Sequence, residues 1–308
     1  MKNILISGSL AYDSIMIFED YFKNHILPNQ IHKLSVSFFV PELKRNFGGT
    51  AGNIAYNLSL LNSSAIIMAT VGEDFNTYEK RLSKSEVLQD YIKLIPESLT
   101  AQAYITTDLD DNQITAFHPG AMMESHQNSI SNIEEKIDLA IIAPAGKEGM
   151  IKHAKECSEK NIPFIFDPGQ GLPMFNKSEL NTFINQATYI AVNDYEAELL
   201  MKVSELDLYA IQSKVDAFII TKGIHGSEIY TDKKIVIKPI LADTPRDPTG
   251  CGDAYRAGLL YGIVNNLTWE DTGKLASVMG SIKIKTQGGQ NHCPDISQIE
   301  DLFGKKLT

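Results

Sequence analysis

The chain has 308 residues and a formal net charge of −10, with 43% hydrophobic and 21% charged residues, proportions that suit a globular protein of one large or two modest domains. The acidic balance argues against a nucleic-acid partner, because binding by counterion release needs clustered Lys and Arg side chains. Without an apolar run of roughly 18 residues, a signal-peptide pattern or zinc-type cysteine spacing, the chain is expected to be cytoplasmic, with reduced thiols and no membrane partner.

The first predicted elements are two short strands. Residues 3–8 form an apolar run that ends in glycine, and Asp13 lies just beyond it. Residues 34–40 then alternate apolar and polar side chains, and this period of two predicts a half-exposed strand. A carboxylate placed after a strand in this way can accept hydrogen bonds from a vicinal diol, although an ordinary turn residue is the simpler interpretation of Asp13.

A second two-stranded unit is predicted further along the chain. Residues 101–108 and 113–118 read as strands that flank a turn-forming segment. Both units look antiparallel, unlike the rest of the chain. We interpret them together, over about residues 14–46 and 101–122, as a small β-sheet lid that covers a site.

The remainder of the chain alternates strands and helices. Strands are predicted at residues 65–71, 139–143, 163–167, 189–193 and 217–221, with a hairpin through Ile229 and Val236, and helices at 49–62, 147–160, after 193, from about 253 and from about 270. Such alternation predicts an α/β fold with three layers, in which helices cover both faces of a mostly parallel, doubly wound sheet. We expect a single domain over residues 1–308. Ligands of such sheets lie beyond the carboxyl ends of the strands, where the prediction places Asp13, Asp167, Asn193 and Thr221.

The segment D-P-T-G-C-G-D at positions 247–253 precedes a run with helical spacing and is where we expect the chemistry. Gly250, Cys251 and Gly252 would leave unpaired backbone N–H groups at the helix start, where the helix dipole also favours negative charge. This predicts an anion seat for a phosphate whose charge grows during reaction. Asp253, on the first turn, would take a proton from an attacking hydroxyl. The alternative is a glycine-rich cap in which Asp253 only offsets the dipole.

Two further short patterns carry polar groups to helix starts. Gly48 and Gly49 allow close approach of the backbone to a ligand, and Asn53 offers a donor and an acceptor to a pair of hydroxyls, although a simple helix cap explains the glycines as well. Asn193 and Glu196 stand at the start of another predicted helix, where Glu196 could compensate the dipole or hold Mg²⁺ through water.

These motifs together resemble the ribokinase-like (PfkB) family of sugar and nucleoside kinases. The stretch 247–253 with the following A-x-x-A-G-L-L resembles the second family signature, Gly48-Gly49-Thr-Ala-Gly-Asn53 resembles the first, and Asn193-x-x-Glu196 resembles a further family element. They occur in order over most of the chain. The resemblance implies a ribokinase-like fold and ATP-dependent phosphorylation of an alcohol, with Mg²⁺ as the metal.

The resemblance also implies a role for each matching position. It makes Asp253 the general base beside the anion seat, and it gives Cys251 a position that alanine usually holds, so that size-fitting explains the cysteine better than an acidic thiol. The positions implied to grip the sugar hydroxyls of the acceptor are Asp13, Gly48, Gly49 and Asn53. The positions implied to contact ATP are Asn193, Thr221, Lys222, Gly223, Gly226 and Asn291, the last in the loop 286–292 beside the adenine. Glu196 is implied to hold Mg²⁺ through water, and Asp247 and Thr249 to ligate K⁺.

Several segments resemble the bacterial adenosine kinase branch of the family, namely residues 116–122, 167–170 and 290–292. The expected acceptor is therefore the 5′-hydroxyl of a nucleoside, adenosine first, with a ribokinase or fructokinase activity as the alternative and a non-catalytic nucleotide-binding regulator as a weaker one. Phe117, with Phe38, Phe39 and Met122, could form apolar walls for a purine, or could instead hold the lid down or form a dimer interface. Monomer and homodimer through the lid are both left open.

Two other enzyme classes lack their motifs. The turn after the first strand does not carry the G-x-G-x-x-G of a dinucleotide-dependent dehydrogenase, and no G-x-x-x-x-G-K-[S/T] of a P-loop enzyme occurs in the chain.

Overall fold

The computed structural model describes residues 2–26, 35–85, 87–110 and 112–307. The strands are β1 (Asn3–Ser7), β2 (Ala11–Ile17), β3 (Glu42–Gly48), β4 (Ser64–Val71), β5 (Val87–Leu94), β6 (Ala101–Thr107), β7 (Gln113–His118), β8 (Leu139–Ile142), β9 (Phe164–Phe166), β10 (Tyr189–Asn193), β11 (Ala217–Thr221), β12 (Ser227–Tyr230) and β13 (Lys234–Ile237). The helices are α1 (Phe22–His25), α2 (Thr50–Leu60), α3 (Asn76–Leu82), α4 (Lys147–Glu159), α5 (Lys177–Gln186), α6 (Asp194–Ser204), α7 (Leu208–Gln212), α8 (Cys251–Val264), α9 (Trp269–Lys283) and α10 (Ile296–Phe303).

The main sheet has nine strands in the order β13-β12-β11-β10-β9-β8-β1-β4-β5. Its strands pair in parallel from β5 to β11, and only β12 and β13 add an antiparallel hairpin at one edge. The strands near the middle, such as β8 with the sequence LAII, are buried along their whole length because helices cover both faces of the sheet. The predicted α/β fold with a mostly parallel sheet is therefore confirmed.

The core consists of two clusters, one on each face of the main sheet. Successive residues of β1 alternate between them, since Ile4 and Ile6 belong to one cluster and Leu5 to the other. The first cluster contains the buried sides of α2, α8 and α9, and the second contains those of α4, α5 and α6. This arrangement is the three-layer architecture that the strand–helix alternation predicts. No helix within the described ranges is long and apolar enough to span a membrane.

A separate four-stranded sheet has the order β3-β2-β6-β7, and we call this sheet the lid. The pairs β2–β3 and β6–β7 are antiparallel, as expected of the two units, whereas β2 and β6, which join the units, pair in parallel. The reason lies in the main sheet. In the main sheet β1 and β5 run in the same direction. The chain therefore leaves the sheet at the same end of the strands after β1 and after β5, and it enters the lid in the same direction both times.

The prediction of a strand at residues 34–40 is wrong. Leu34 lies outside the described residues, residues 35–40 form no strand, and the strand of this region is β3, at Glu42–Gly48. Phe38 instead packs against the rings of Phe18 and Phe22, with centroids 4.8 and 5.0 Å apart. Phe38 thus belongs to a local aromatic cluster and not to a strand. The strand β3 has little hydrophobic pattern, because it is an exposed edge strand that is defined by its backbone pairing with β2.

Polar side chains lie at the carboxyl ends of several strands of the main sheet. Asp167 directly follows β9, Asn193 is the last residue of β10 and Thr221 is the last residue of β11, as predicted. Asp13 differs from the prediction, because it is the third residue of β2 within the lid and does not lie in a turn after β1. The helices predicted from about residues 253 and 270 begin at Cys251 and Trp269.

Candidate active site

The first turns of α2 and α8 meet through one hydrogen bond. The side-chain amide of Asn53 donates to a carboxylate oxygen of Asp253 at 2.8 Å. The orientation of this amide is set from its other side, since Gln290 Nε2 donates to Asn53 Oδ1 at 3.1 Å. Two residues 200 positions apart in the sequence are thereby held in one site.

The Asp253 carboxylate sits in surroundings that favour its protonated form. Burial raises the pKa of Asp253 to about 7, and the charge of Asp167 adds to this increase, while the hydrogen bond from Asn53 and the charge of Arg256 act against it. A carboxylate with a pKa close to neutral pH can both accept a proton from a hydroxyl and release it afterwards. Asp253 therefore has the properties of a general base.

Arg256 is a site residue that the sequence analysis does not identify. Its guanidinium makes two hydrogen bonds of 3.1 Å to the carboxylate of Asp167 and one of 3.2 Å to the carbonyl of Ala191, and both side chains of the ion pair are buried. Arg256 follows Asp253 by three positions on α8, so that the two side chains share one face of the helix. The spacing places Arg256 on the Asp253 side of the helix, but it does not show that the arginine is buried.

In the anion seat, residues 250–253, some backbone N–H groups are already hydrogen-bonded and others are not. Gly250 adopts a φ of +77° before the first turn of α8, a conformation that favours glycine. The N–H of Cys251 donates to Pro248 O at 3.0 Å and is therefore already engaged. In the described part of the chain no acceptor is found for the N–H groups of Gly252 and Asp253. These two are the donors that an anion can use.

Cys251 and Gly252 leave room for an anion without adding a negative charge. Burial raises the pKa of the Cys251 thiol to about 11, which makes a thiolate at neutral pH unfavourable and agrees with size-fitting. A Cβ added at Gly252 would meet no atom within 4 Å, so that open space borders its backbone.

The residues predicted to grip sugar hydroxyls lie together. A Cβ at Gly48 would be only 2.4 Å from Asp13 Oδ2, so the glycine makes room for that carboxylate. Gly49 has a φ of +84° and would bring a Cβ to 2.6 Å from the backbone of Ala11, so it is needed for the close approach of α2 to the lid. Burial, and next the charge of Asp247, raise the pKa of Asp13 to about 6.

A hydrogen-bonded chain connects this group to the loop 286–292. Tyr78 Oη donates to Gly48 O at 2.7 Å and accepts from Gln290 Nε2 at 2.6 Å. In the same loop, Asn291 Nδ2 donates to Asn46 Oδ1 of the lid at 3.3 Å. The loop therefore contacts the acceptor side of the site, and the predicted contact of Asn291 with adenine stays a prediction.

Asn193 and Glu196 form a reciprocal cap at the start of α6. Glu196 N donates to the Asn193 side chain at 2.7 Å, and Asn193 N donates to Glu196 Oε2 at 2.8 Å. Burial raises the pKa of Glu196, the nearby charge of Asp167 adds to this, and the charge of Arg256 acts against it. Glu196 thus has a structural role and is also close enough to the Asp167–Arg256 pair to feel its charges.

The predicted nucleotide-side loop follows β11. Thr221 is the last residue of that strand, and the Lys222 ammonium lies 2.7 Å from the carboxylate of Glu228. Gly226 adopts a φ of +86°, and a Cβ there would lie 2.1 Å from Ile237 O. Gly223 also has a positive φ, of +54°, with open space around it. The loop is shaped by glycines, and Lys222 is paired with Glu228 in this structure.

Phe117 shares a face of the lid with Asp13. The cross-strand register aligns Asn46, Asp13, Ala103 and Phe117 in one row over β3, β2, β6 and β7, and side chains of one row point to the same face. The Phe117 side chain is 53% exposed on that face. The other three apolar candidates do not join it in this row: Phe38 is in the aromatic contact with Phe18, Phe39 is 84% exposed outside any strand, and Met122 packs against the core.

This arrangement suits the transfer of a phosphoryl group to an alcohol. Asp253 is a buried carboxylate with a raised pKa, the N–H groups of Gly252 and Asp253 have no acceptor among the described residues, and Asp13 of the lid is near enough for its charge to act on Asp253. Comparisons with known proteins agree with this class of reaction. The chain matches the pfkB family of carbohydrate kinases over residues 10–296. It therefore belongs to that family.

Several of the proteins that are similar to this chain are nucleoside kinases. A nucleoside kinase from Methanocaldococcus jannaschii is 32% identical over 308 residues, which cover 99% of this chain and 98% of the relative. The structure of a Burkholderia thailandensis nucleoside kinase in complex with inosine has a TM-score of 0.88 at 47% identity, covering 98% of this chain and 99% of that one. A complex of the same protein with ADP-inosine gives a TM-score of 0.86 at 48% identity, covering 99% and 97%.

Asp253→Asn should lower kcat by roughly 10²–10⁴-fold, which is the usual contribution of a placed base. Because the carboxylate is the active form and its pKa is about 7, wild-type kcat/KM should rise with pH up to about 7 and then level off, whereas the residual rate of the variant should lack this limb. Initial rates over the neutral range measure both. Near-normal turnover in the variant removes Asp253 from the role.

A stability measurement controls for misfolding of this variant. The pKa of Asp253 in the folded protein, about 7, lies above that of an aspartate in the unfolded chain, so the protonated side chain favours folding at low pH and this contribution is lost as the pH rises through 7. Asp253→Asn should therefore melt at a higher temperature than the wild type above pH 7. A lower melting temperature there contradicts the assignment of a strained, ionised carboxylate.

Gly252→Val should lower kcat more than it weakens nucleotide binding. The fold has room for the side chain, since a Cβ at Gly252 meets nothing within 4 Å, but the valine would narrow the space in which the transferring phosphoryl group gains charge. The control is Gly280→Ala, whose Cβ makes only an ordinary contact of 3.7 Å with Cys251 O. Equal losses in kcat and in nucleotide affinity indicate ground-state binding instead.

Proposed function

We propose that this protein is an ATP-dependent nucleoside kinase that phosphorylates the 5′-hydroxyl of a purine nucleoside, with adenosine and inosine as the first acceptors to test. The observation that carries the proposal is the lid row that places Phe117 on the same face as Asp13. A carboxylate that accepts hydrogen bonds from the sugar and an aromatic ring that stacks on the base are the two contacts that a nucleoside needs and a free sugar does not.

The relatives support a nucleoside acceptor. The Burkholderia thailandensis kinase, 47% identical, binds inosine, and the Methanocaldococcus jannaschii relative is a nucleoside kinase. Ribokinases also match, but at lower identity, as for the Bacillus subtilis enzyme at 23%. A sugar kinase remains the alternative, because ribose presents the same hydroxyls to Asp13 and Asn53 as a nucleoside does.

The described residues account for the reaction as follows. Asp13 accepts hydrogen bonds from the sugar diol, and Asn53 orients both the sugar and the Asp253 carboxylate. Asp253 takes the proton of the 5′-hydroxyl while that oxygen bonds to the γ-phosphorus of ATP and the bond to the β-phosphate oxygen breaks. The N–H groups of Gly252 and Asp253 donate to the transferring phosphoryl group, whose charge grows at this point. The products are the nucleoside 5′-monophosphate and ADP.

ATP would be bound between the loop after β11 and the start of α6. Thr221, Gly223 and Gly226 shape the first of these, and Asn193 caps the second. Lys222, held by Glu228 at 2.7 Å, would exchange that carboxylate for a phosphate oxygen. After the exchange Glu228 would keep a second ammonium partner, because Lys234 lies 2.8 Å from its other oxygen.

Mg²⁺ would be held through water beside the phosphates. Within the described ranges, no three His, Cys, Asp or Glu side chains form a metal-binding group. Mg²⁺ does not need one, since it keeps most of its waters and uses one or two carboxylates together with substrate phosphates. Glu196 fits this use, because one of its oxygens caps α6 and the other can accept from a water. When bound, the ion offsets the charge of the phosphates.

The family match makes the protein a phosphotransferase, and the buried Asp253 with its raised pKa agrees with an enzyme rather than a non-catalytic regulator, because shifted pKa values cluster at functional sites. The oligomeric state stays a prediction. The outer face of the lid exposes Leu43, Tyr104 and Ile114, which a homodimer through the lid would cover and a monomer would leave in water.

Phe117→Ala should weaken adenosine and inosine binding by roughly 5–150-fold, since stacking of a base on an aromatic ring contributes about 1–3 kcal/mol. ATP affinity should change little. The matched control is Tyr104→Ala, which removes a 41% exposed aromatic ring from the opposite face of the lid and should leave nucleoside binding unchanged. Equal effects of the two substitutions contradict a base contact at Phe117.

A panel of acceptors decides between the two proposed activities. Wild-type protein should convert ATP to ADP faster with adenosine or inosine than with ribose or fructose at equal concentration, because only the nucleosides have a base to stack. Faster turnover of a free sugar makes the protein a sugar kinase.

Glu196→Gln should raise the Mg²⁺ concentration needed for half-maximal rate, because it removes a negative charge while Gln still supports the cap of α6. The control is Glu198→Gln, the same change at an exposed position of the same helix. Rates are measured against Mg²⁺ at fixed ATP. An unchanged titration excludes Glu196 from the metal site.

A further inference from the structure

The residues expected to bind K⁺ already use their donor and acceptor groups within the protein. Both carboxylate oxygens of Asp247 accept backbone N–H groups, from Thr249 at 2.9 Å and from Gly288 at 2.6 Å. The main-chain oxygen of Asp247 accepts from the Lys283 ammonium at 2.8 Å. Each of the three oxygens of Asp247 therefore already accepts a hydrogen bond, and a K⁺ ion at Asp247 O would lie beside the positive charge of Lys283, so the residues present do not fit a bound K⁺ at this position.

Lys283 is the last residue of α9 and is fully buried. Besides Asp247 O, its ammonium donates to Thr286 O at 2.9 Å. No carboxylate lies within ion-pair distance of Lys283 Nζ in the part of the chain that the structure describes. A buried lysine bound by backbone carbonyl oxygens, without a carboxylate partner, is unusual, because burial of an ammonium is costly unless its donors are satisfied.

Several groups around Lys283 offset part of the cost of burying its positive charge. The ammonium lies at the C-terminal end of α9, where the helix dipole is negative. Burial lowers the pKa of Lys283, and the groups that face the ammonium, the Cys251 thiol and the carboxylates of Asp247 and Asp253, oppose this effect. Carbonyl oxygens and negative charge are what a monovalent cation site offers.

The two carbonyl partners belong to the two loops that frame the anion seat. Asp247 precedes the seat, and Thr286 begins the loop that contains Gln290. The backbone adds a second link, because Arg246 N and Asp247 N both donate to Ile284 O, at 2.8 and 3.1 Å. Lys283 thus draws both loops to the end of α9, at the side of the seat.

We propose that the Lys283 ammonium is a built-in monovalent cation that takes the place of K⁺ beside the anion seat and makes the enzyme independent of added potassium. Lys283 is a positioning residue, since it acts through the loops and not on the substrate. The inference rests on the kinase activity of the family and not on which acceptor is used.

Removal of the ammonium should affect turnover more than acceptor binding. Lys283→Met keeps the length of the side chain and leaves two buried carbonyl oxygens without a donor, so kcat should fall by roughly 10–100-fold with nucleoside KM little changed. Lys285→Met is the matched control two residues away, where the lysine pairs with Asp243 at the surface. Unchanged kcat in Lys283→Met overturns the proposal.

The direct test replaces one cation by another. Wild-type turnover should be the same in potassium and in tetramethylammonium buffers, whereas Lys283→Ala should regain activity as K⁺ or methylammonium is added. The same ions should raise the melting temperature of ligand-free Lys283→Ala and leave that of the wild type unchanged. This second readout needs no acceptor, so it stands even if the nucleoside assignment fails. Potassium-dependent wild-type turnover, or no rescue by either ion in either readout, overturns the proposal.

Discussion

The site depends on one carboxylate that is kept away from water. Asp253 is held by Asn53 at 2.8 Å and lies near the buried pair of Arg256 and Asp167, so its charge is opposed by burial and balanced by one fixed cation. A pKa of about 7 follows from this balance. Exposure of the carboxylate would return it to its ordinary acidity and make it a poor base, whereas complete removal of the cation would leave it protonated.

A network of hydrogen bonds fixes the position of this carboxylate relative to the lid and to the loop 286–292. Gln290 connects three parts of the chain, because its amide contacts Asn53 on α2 and Tyr78, and Tyr78 in turn contacts Gly48 at the end of a lid strand. The lid strand β2 carries Asp13 over the same point. Asp253, Asn53, Gly48 and the loop 286–292 are thus parts of one hydrogen-bonded network, and Lys283 holds that loop at its other end.

The sequence predicts the parts of the protein that depend on local signals. Continuous apolar runs identify the buried parallel strands, and glycines before a helical pattern identify the starts of α2 and α8, as Asn53 and Asp253 show. The family resemblance adds roles to these positions. The row that places Phe117 on the same face as Asp13 cannot be predicted in this way, because it depends on two strand registers, that of β6 with β7 and that of β6 with β2, which lies far earlier in the sequence.

Buried charges are the other part that the sequence does not reveal. Arg256 and Lys283 occur in helical segments where a cationic residue normally points to water, and only tertiary packing brings them to Asp167 and to the carbonyl of Asp247. For the same reason, the K⁺ site expected from Asp247 and Thr249 is not supported once the contacts of Lys283 are seen. Local spacing identifies candidate residues, but not which of their atoms are already used.

The central claim is that Asp253 accepts the proton of a nucleoside 5′-hydroxyl. It is tested most directly by a crystal structure with a purine nucleoside and a non-hydrolysable ATP analogue. The account predicts that the 5′-oxygen lies within roughly 2.6–3.2 Å of the Asp253 carboxylate, with the 2′- and 3′-hydroxyls on Asp13 and the base on Phe117. A complex in which another hydroxyl faces Asp253, or in which the nucleoside contacts neither Asp13 nor Asp253, contradicts it.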